Sequence, residues 1–329
     1  MFPNPRIPTF SDLRAAEKRL AGFAVRTPLV SSPVLDDRVG GRVLLKPEIL
    51  QRTGSFKFRG AYNRIAMIPA EERAAGVVAC SSGNHAQGVA EAARLFGIPA
   101  AIVMPSDSPK MKRERTAAAG AEIVEYDRMT GSREAIATQL AHARGATFVA
   151  PYDDPGVIAG QGTVGLEIAE QATAISALPD LALAPASGGG LIAGIALALG
   201  TLMPKVEIRS VEPEGFDDHA RSLAAGKRLT NELLWGSVCD ALMAPMPGEI
   251  TFAVNASRLG PGLAVSDAEV LAAVAFAYRE LKLVVEPGGA VALAALLSGK
   301  ADVRGKTVVA VLSGGNMDGD TLARALAEG

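Results

Sequence analysis

Residues 181–204 read LALAPASGGGLIAGIALALGTLMP. The stretch carries no charged side chain and is long enough to cross a bilayer, so a membrane helix is one interpretation. Pro185 and the glycines at 188–190 divide it into a short apolar run and a helix of about three turns. We therefore expect a buried strand, a turn and a buried helix, which is the building unit of a parallel sheet.

Short β-branched runs alternate with alanine-rich helical stretches along most of the chain. Examples are VVAC at 77–80 before NHAQGVAEAARLFG at 84–97, and TVVAVLS at 307–313 before DGDTLARALAEG at 318–329. This alternation predicts an α/β fold with open, twisted parallel sheets covered by helices. Turn-rich segments at 69–73 (PAEER) and 151–156 (PYDDPG) mark two breaks. They predict a large domain of residues 1–70 plus 152–329 and a small domain of residues 71–151.

The composition narrows the class of protein. A chain of 329 residues has room for two cores, and a net charge of −2 gives no general attraction to nucleic acid or to a membrane surface. Two cysteines cannot build a disulfide framework. The N-terminal twenty residues lack the apolar core of a signal peptide. We expect a cytoplasmic protein that acts on a small molecule.

Three predicted strand-to-helix turns share serine and glycine: ACSSGNHAQG at 79–88, APASGGGLIAG at 184–194 and VLSGGNMDGD at 311–320. Ligands of open parallel sheets bind at this edge, where free amides and the helix dipole favour an anion. The sequence contains no P-loop and no dinucleotide fingerprint, and its three histidines form no metalloprotease motif. An anionic ligand of another kind is expected.

Lys57 lies between two phenylalanines in SFKFRG, residues 55–60. It is either an ordinary lysine whose stem covers apolar surface, or an amine that Phe56 and Phe58 desolvate for attack on a carbonyl. An activated lysine near a phosphate-sized glycine turn suggests pyridoxal phosphate.

These segments resemble the serine and threonine dehydratases, a family that also contains serine racemases. SFKFRG, SSGNHAQG at 81–88, SGGGL at 187–191 and SGGN at 313–316 occur in the family's order, with TPLVSS near the start and IAGQGT at 158–163. The resemblance implies the fold-type II (tryptophan synthase beta-like) architecture of pyridoxal-phosphate enzymes, with the cofactor in the large domain.

The resemblance also implies residue roles. Lys57 would hold the cofactor as a Schiff base and move the Cα proton, Phe56 would pack on the ring, and Asn84 would bind the ring's phenolic oxygen. Ser313 would contact the pyridine nitrogen. The set expected to bind the cofactor is Phe56, Lys57, Asn84, Ser187, Gly188, Gly189, Gly190, Leu191 and Ser313.

The substrate carboxylate is expected at a helix N-terminus formed by Ser81, Ser82, Gly83, Asn84 and His85. Ser82 matches the residue that faces the substrate from the side opposite the lysine in racemases, and it could equally serve only as a hydrogen-bond donor. Arg133 matches a racemase arginine near the substrate, or it is a surface residue.

A divalent cation site is implied in SVEPEGFDDHARS, residues 210–222, with Glu212, the carbonyl of Phe216 and Asp218 as ligands. Such oxygen ligands suit Mg²⁺ or Ca²⁺. The alternative is a solvated acidic turn.

The resemblance implies a catabolic lyase that dehydrates and deaminates L-threonine or L-serine to 2-oxobutanoate or pyruvate and ammonia. The alternatives are a serine racemase or a dehydratase of another β-hydroxy amino acid, such as hydroxyaspartate or phenylserine. Ala241 stands where the family usually has glycine, which leaves the size of the substrate pocket open. The family's precedent is a homodimer.

Overall fold

The computed structural model of the protein describes residues 6–108, 110–127, 131–233 and 235–329. Residues 1–5, part of the N-terminal stretch interpreted above, lie outside these ranges. The strands are β1 Arg42–Pro47, β2 Val77–Cys80, β3 Ala100–Pro105, β4 Glu122–Tyr126, β5 Thr147–Phe148, β6 Leu181–Pro185, β7 Glu207–Pro213, β8 Leu263–Val265 and β9 Thr307–Leu312. The α-helices are α1 Phe10–Leu20, α2 Pro33–Val39, α3 Lys57–Ala66, α4 Asn84–Phe96, α5 Lys110–Ala118, α6 Arg133–Arg144, α7 Pro155–Ala174, α8 Gly190–Leu202, α9 Asp218–Ala225, α10 Glu249–Asn255, α11 Asp267–Phe276, α12 Pro287–Leu297 and α13 Gly319–Glu328.

The strands form two parallel sheets, which confirms the predicted α/β class. One sheet has the order β1-β9-β6-β7-β8 and the other β4-β3-β2-β5. Strands β3 and β6 are buried along their whole length, as parallel strands covered on both faces should be. Residues 181–204 form β6, a turn and α8 as predicted. None of the helices in the described ranges has the length and apolarity needed to cross a membrane.

The order of the larger sheet brings three chain segments together. Strands β1, β9 and β6 are neighbours, with Lys46 opposite Val311 and Leu183 opposite Ala310. Since the strands are parallel, the segments that leave their carboxyl ends meet at one edge. Those segments contain Lys57 after β1, the turn at 313–316 after β9 and the glycine turn after β6.

Helix α7 runs through the buried centre of the molecule, and glycines allow its backbone to touch its neighbours. A Cβ on Gly160 would lie 2.4 Å from the carbonyl oxygen of Arg59 in α3. A Cβ on Gly194 of α8 would lie 2.5 Å from the amide nitrogen of Gly162. These contacts fix α3 and α8 on either side of α7, and so fix the two walls of the cavity described below.

Helix α3 buries its apolar face against the smaller sheet, where Phe58 and Ile65 share a cluster with Val77 and Ile102. All four strands of that sheet lie between residues 71 and 151. The division into residues 1–70 plus 152–329 and residues 71–151 stays a prediction.

Candidate active site

A cavity lies where the carboxyl ends of β2, β6 and β9 face one another. It is lined by every residue that the sequence proposed for cofactor or substrate: Phe56, Lys57, Ser81, Ser82, Gly83, Asn84, His85, Arg133, Ser187, Gly188, Gly189, Gly190, Leu191 and Ser313. Further lining residues, to which sequence reasoning assigned no individual role, include Tyr152, Gln161, Glu286 and Asn316. The fold therefore brings segments that are distant in the chain together on one cavity, because a parallel sheet places the carboxyl ends of its strands at one edge.

Lys57 is the first residue of α3, and its side chain reaches the cavity. Its Nζ donates a hydrogen bond to the carbonyl oxygen of Pro151 at 2.7 Å. The pKa of Lys57 is lowered to about 8, mainly by burial and also by the positive charge of Arg133, while Glu286 opposes the shift. An amine with this pKa is neutral for a useful fraction of the time near neutral pH, which a nucleophile or base requires.

The two phenylalanines beside Lys57 lie in different surroundings. The Nζ of Lys57 lies 5.3 Å from the centre of the Phe56 ring. Phe58 is fully buried in the core, with its ring 5.5 Å from that of Tyr62. Neighbours two positions apart on a helix point about 200° apart, so one ring can line the cavity while the other packs below it.

The glycine turn forms the opposite wall. A Cβ on Gly188 would lie 2.3 Å from the ring of Tyr152, and Gly189 has a φ of +91°, which disfavours any residue with a side chain. Thr251 Oγ1 donates to the carbonyl oxygen of Gly188 at 2.6 Å and holds the turn in place. The first amides of α8 have no acceptor within their own helix, so they face the cavity as donors for an anion.

A second helix N-terminus meets the cavity at α4. The amide of Gly83 donates to Ser81 Oγ at 3.1 Å and shapes the turn, and the helix begins at Asn84. His85 Nε2 is 2.9 Å from the carbonyl oxygen of Val149. Burial and the nearby Lys57 charge lower the pKa of His85 to about 3, so its ring is neutral and donates to that carbonyl. The turn thus offers uncharged donors.

Glu286 and Asn316 were not identified as site residues from the sequence. Asn84 Nδ2 donates to Glu286 Oε1 at 2.6 Å, and Asn84 Oδ1 accepts from Asn316 Nδ2 at 2.9 Å. Asn316 Nδ2 also donates to the carbonyl oxygen of Thr53 at 2.7 Å. These contacts fix the orientation of the Asn84 side-chain amide, with its nitrogen toward Glu286 and its oxygen toward Asn316. Asn316 closes the SGGN motif and Glu286 precedes a Pro-Gly-Gly helix start, which are the signals that could have found them.

Three other predicted features have clear positions. Ser313 ends the β9 segment at 5% exposure, and its carbonyl oxygen accepts from the amide of Phe56 at 3.1 Å. Arg133 begins α6, as predicted, and pairs with Glu134 at 2.7 Å. Ala241 also lines the cavity.

The predicted cation ligands lie outside the set that lines this cavity. Glu212 is fully buried and accepts from the amides of His219 at 3.0 Å and Ala220 at 2.8 Å. Asp218 accepts from Asn231 at 2.6 Å, while its buried Oδ2 has no hydrogen-bond partner among the described residues. Burial, with the nearby Asp218, raises the pKa of Glu212, and burial raises that of Asp218 to about 7.

Two buried carboxylates that burial makes costly to ionise form a donor set suited to a hard cation. Phe216 lies beside them at 2% exposure. The described parts of the chain contain no group of three or more His, Cys, Asp or Glu residues that could hold a metal ion. The predicted set, with two carboxylates and one carbonyl, stays a prediction.

The cavity fits pyridoxal phosphate on its own geometry. The glycine turn has no room for a Cβ at 188 or 190, so its backbone is bare, and it starts a helix, as a phosphate site should. Lys57 would supply the amine for the aldehyde, and Asn84 and Ser313 would supply polar groups for the ring.

Comparisons with known proteins agree with this fit. The family described as "Pyridoxal-phosphate dependent enzyme" matches residues 20–314. The L-threonine ammonia-lyase of Thermotoga maritima is 41% identical, over 98% of this chain and 79% of its own length. The L-threo-3-hydroxyaspartate ammonia-lyase of Saccharomyces cerevisiae is 40% identical, over 95% and 94%. The structure of maize serine racemase superposes with a TM-score of 0.91 at 38% identity and covers 98% of each chain.

Proposed function

The chain belongs to the pyridoxal-phosphate dependent enzymes, and we propose that it converts L-threonine or L-serine into a keto acid and ammonia. It would be a carbon–nitrogen lyase of amino-acid catabolism. The observation that carries the proposal is one cavity lined by a lysine of lowered pKa and two helix N-termini, one suited to a phosphate and one to a carboxylate. When bound, the cofactor would supply the electron sink that makes the Cα proton of an amino acid acidic.

The residues of this chain would divide the work. The turn Ser81–His85 at the start of α4 would hold the substrate carboxylate through amides and the helix dipole. Lys57, neutral part of the time because of its lowered pKa, would accept the proton from Cα. Loss of that proton and of the β-hydroxyl group as water leaves an enamine, which water hydrolyses to the keto acid and ammonia.

Asn84 would donate a hydrogen bond to the phenolic oxygen of the cofactor ring. Its Oδ1 is engaged by Asn316 and one N–H by Glu286, which leaves the second N–H as the free donor of the amide. Ser313 would meet the pyridine nitrogen with a neutral hydroxyl, which does not hold that nitrogen protonated. A weaker electron sink of this kind favours elimination over transamination.

The direct test is a keto-acid assay. Purified protein loaded with pyridoxal phosphate should release 2-oxobutanoate from L-threonine or pyruvate from L-serine, and the Lys57→Ala variant should not. Absence of keto acid from both substrates, in a preparation that retains the cofactor's absorbance, would rule the proposal out.

A dehydratase of hydroxyaspartate is the second candidate, and Arg133 is the observation that favours it. Arg133 lines the cavity and its positive charge lowers the pKa of Lys57, so it is close enough to attract a second carboxylate. A relative from Saccharomyces cerevisiae carries that activity in its name. A panel of threonine, serine, phenylserine and hydroxyaspartate separates the candidates: preference for the dicarboxylic substrate, lost in Arg133→Met, would favour the second.

Racemisation depends on Ser82. If Ser82 delivers a proton from the side opposite Lys57, D-serine accumulates beside pyruvate, and Ser82→Ala abolishes the D-serine while pyruvate continues. Chiral chromatography of the products decides between a proton donor and a simple hydrogen-bond donor.

We also propose that Glu212, Asp218 and the Phe216 carbonyl bind Mg²⁺ or Ca²⁺, supported by the unpartnered Oδ2 of Asp218. Chelation should lower the melting temperature, and either ion should restore it; no change on chelation would argue against the site.

A homodimer in the cytoplasm completes the proposal. Sedimentation tests the oligomeric state, and cell fractionation tests the compartment.

A further inference from the structure

One buried side chain beside the cavity has no role in the scheme above. Gln161 lies in α7, within the IAGQGT motif, and is fully buried. Neither its Nε2 nor its Oε1 has a hydrogen-bond partner among the described residues, and the residue lines the cavity. Leaving such an amide unsatisfied costs about 1–3 kcal/mol, so a buried amide in this position needs an explanation.

Other polar side chains of the same helix are satisfied. Thr163 Oγ1 donates to the carbonyl oxygen of Gly160 at 2.6 Å. Glu167 accepts from Lys46 at 2.6 Å, and Gln171 donates to the carbonyl oxygen of Thr27 at 2.8 Å. The unsatisfied amide is therefore a local feature of the cavity wall and not a general property of α7.

The surroundings of Gln161 indicate which part of a ligand it would meet. A Cβ on Gly190, in the first turn of α8, would lie 2.7 Å from Gln161 Oε1. A Cβ on Gly60, one turn beyond Lys57 in α3, would lie 3.0 Å from Nε2. The amide thus occupies the space between the glycine turn and the helix that carries Lys57.

We propose that Gln161 is a further phosphate-binding residue: since neither end of its amide has a partner among the described residues, the amide can turn over, so that its N–H donates to the phosphate group of the cofactor beside the amides of the glycine turn. The inference rests on the proposed function, because it takes pyridoxal phosphate as the ligand. A phosphate oxygen is a charged acceptor, and a hydrogen bond to a charged group is worth about 1.5–3 kcal/mol, more than one between neutral groups. A phosphate here would satisfy the amide and add a side-chain contact to an otherwise backbone cradle.

Two aldehydes that differ only in the phosphate isolate this contact. Cofactor-free protein is titrated with pyridoxal phosphate and with pyridoxal. The dissociation constant of pyridoxal divided by that of pyridoxal phosphate measures what the phosphate contributes to binding. Gln161→Met keeps the shape of the side chain without its donor, and should reduce that ratio about 10-fold or more. Gln161→Glu should reduce it further, because a carboxylate repels the phosphate.

Gln171→Met is the matched control. It removes a satisfied amide from the same helix, away from the cavity lining, and should leave the ratio of the two dissociation constants unchanged. Melting temperatures of all three variants identify any that fail to fold, and Gln161→Met, as the closest in shape, decides if Gln161→Glu does not fold.

Each outcome has a distinct meaning. If Gln161→Met weakens the binding of both aldehydes equally, or changes the binding of neither, Gln161 does not contact the phosphate. The inference is then wrong, while the proposed function stands. If the wild-type protein binds neither aldehyde, the proposed function itself is wrong. A loss confined to pyridoxal phosphate supports both.

Discussion

Two basic residues lie two positions apart at the start of α3, and their charge environments are opposite. Arg59 is fully enclosed by carboxylates: its Nε lies 2.7 Å from Glu48 Oε2 and its Nη1 2.7 Å from Glu167 Oε1. Lys57 donates instead to a carbonyl oxygen and faces a cavity. Arg59 therefore serves packing and pairing.

The protonation of the two residues differs accordingly. Burial by itself would lower the pKa of Arg59, but Glu48 and Glu167 raise it above its usual value. The pKa of Lys57 is lowered to about 8, mainly by burial and also by Arg133. A buried charge with full partners maintains structure, whereas a buried amine without a paired carboxylate is available for chemistry. Four predictions test that distinction.

The largest effect is expected from Lys57→Ala. Removing the proposed base should reduce keto-acid formation by about 10⁴-fold, at the upper end of the range for general acid–base catalysis. At neutral pH the cofactor-free variant should be no less stable than the wild type, because it loses a hydrogen bond to a carbonyl and also loses the cost of holding a charged amine in a buried site. Steady-state kinetics and urea unfolding measure the two. Activity within tenfold of the wild type would remove Lys57 from the mechanism.

Arg59→Ala should lower the free energy of unfolding, because Arg59 is the buried cation that is fully paired. It leaves Glu48 and Glu167 buried without their shared partner, which costs about 3–5 kcal/mol of unfolding free energy. Urea unfolding of the cofactor-free protein gives the value. Arg304→Ala, which breaks an exposed pair with Asp302, is the control and should cost less than about 1 kcal/mol. Equal losses in the two variants would contradict the distinction drawn here.

Asp153 offers an intermediate case, since its carboxylate supports the cavity wall and forms no ion pair within the described part of the chain. It accepts from the amides of Glu249 at 2.8 Å and Ile250 at 2.9 Å, and so caps α10, whose Thr251 holds Gly188. Asp153→Ala should cost about 1 kcal/mol of stability, the usual value of a helix cap. It should also weaken pyridoxal phosphate binding, measured by titration.

The control for Asp153 is Ser266→Ala, which removes the cap of α11 away from the cavity. It should lose similar stability and keep the same affinity for the cofactor. If both variants lose affinity to the same extent, Asp153 has no specific influence on the glycine turn.

The last prediction concerns pH. The pKa of Lys57 is about 8 in the folded protein and about 10.4 in an unfolded chain. Between these values the unfolded chain binds a proton that the folded one has lost, so the stability of the cofactor-free protein rises with pH. The stability cost of a charged Lys57 is fully present below pH 8 and disappears above the pKa that Lys57 has in the unfolded chain. Measured from pH 7 to 10.5, wild type should gain stability relative to Lys57→Met; a constant difference would contradict the lowered pKa.

Much of the fold could be predicted because it follows from local patterns. The alternation of apolar strands and alanine-rich helices is written in consecutive residues, and β6, its turn and α8 form where LALAPASGGGLIAGIALALGTLMP indicates. The residues proposed for cofactor and substrate lie on one cavity, and most of them belong to short motifs near strand ends. The sequence left the role of Phe58 open, because the direction of its side chain depends on the helix that it enters.

Tyr152, Gln161 and Glu286 escaped sequence reasoning because each matters through a partner remote in the chain. Tyr152 packs on Gly188, Gln161 lies against Gly190, and Glu286 accepts from Asn84. The segment PYDDPG was interpreted as a break between domains, yet its Pro151 carbonyl holds the amine of Lys57. Turn composition indicates where a chain bends, and it carries no information about what lies across the bend.

The sequence by itself determined the α/β class and the helix starts that face the cavity, since these depend on neighbouring residues and on hydrophobic periodicity. Only the tertiary structure decided that Lys57 has no ion pair among the described residues while Arg59 is fully paired. Charge environment depends on distances between strands and helices that the chain order does not specify. The parallel order β1-β9-β6 and the glycine contacts of α7 set those distances, and with them the difference between a structural cation and a reactive amine.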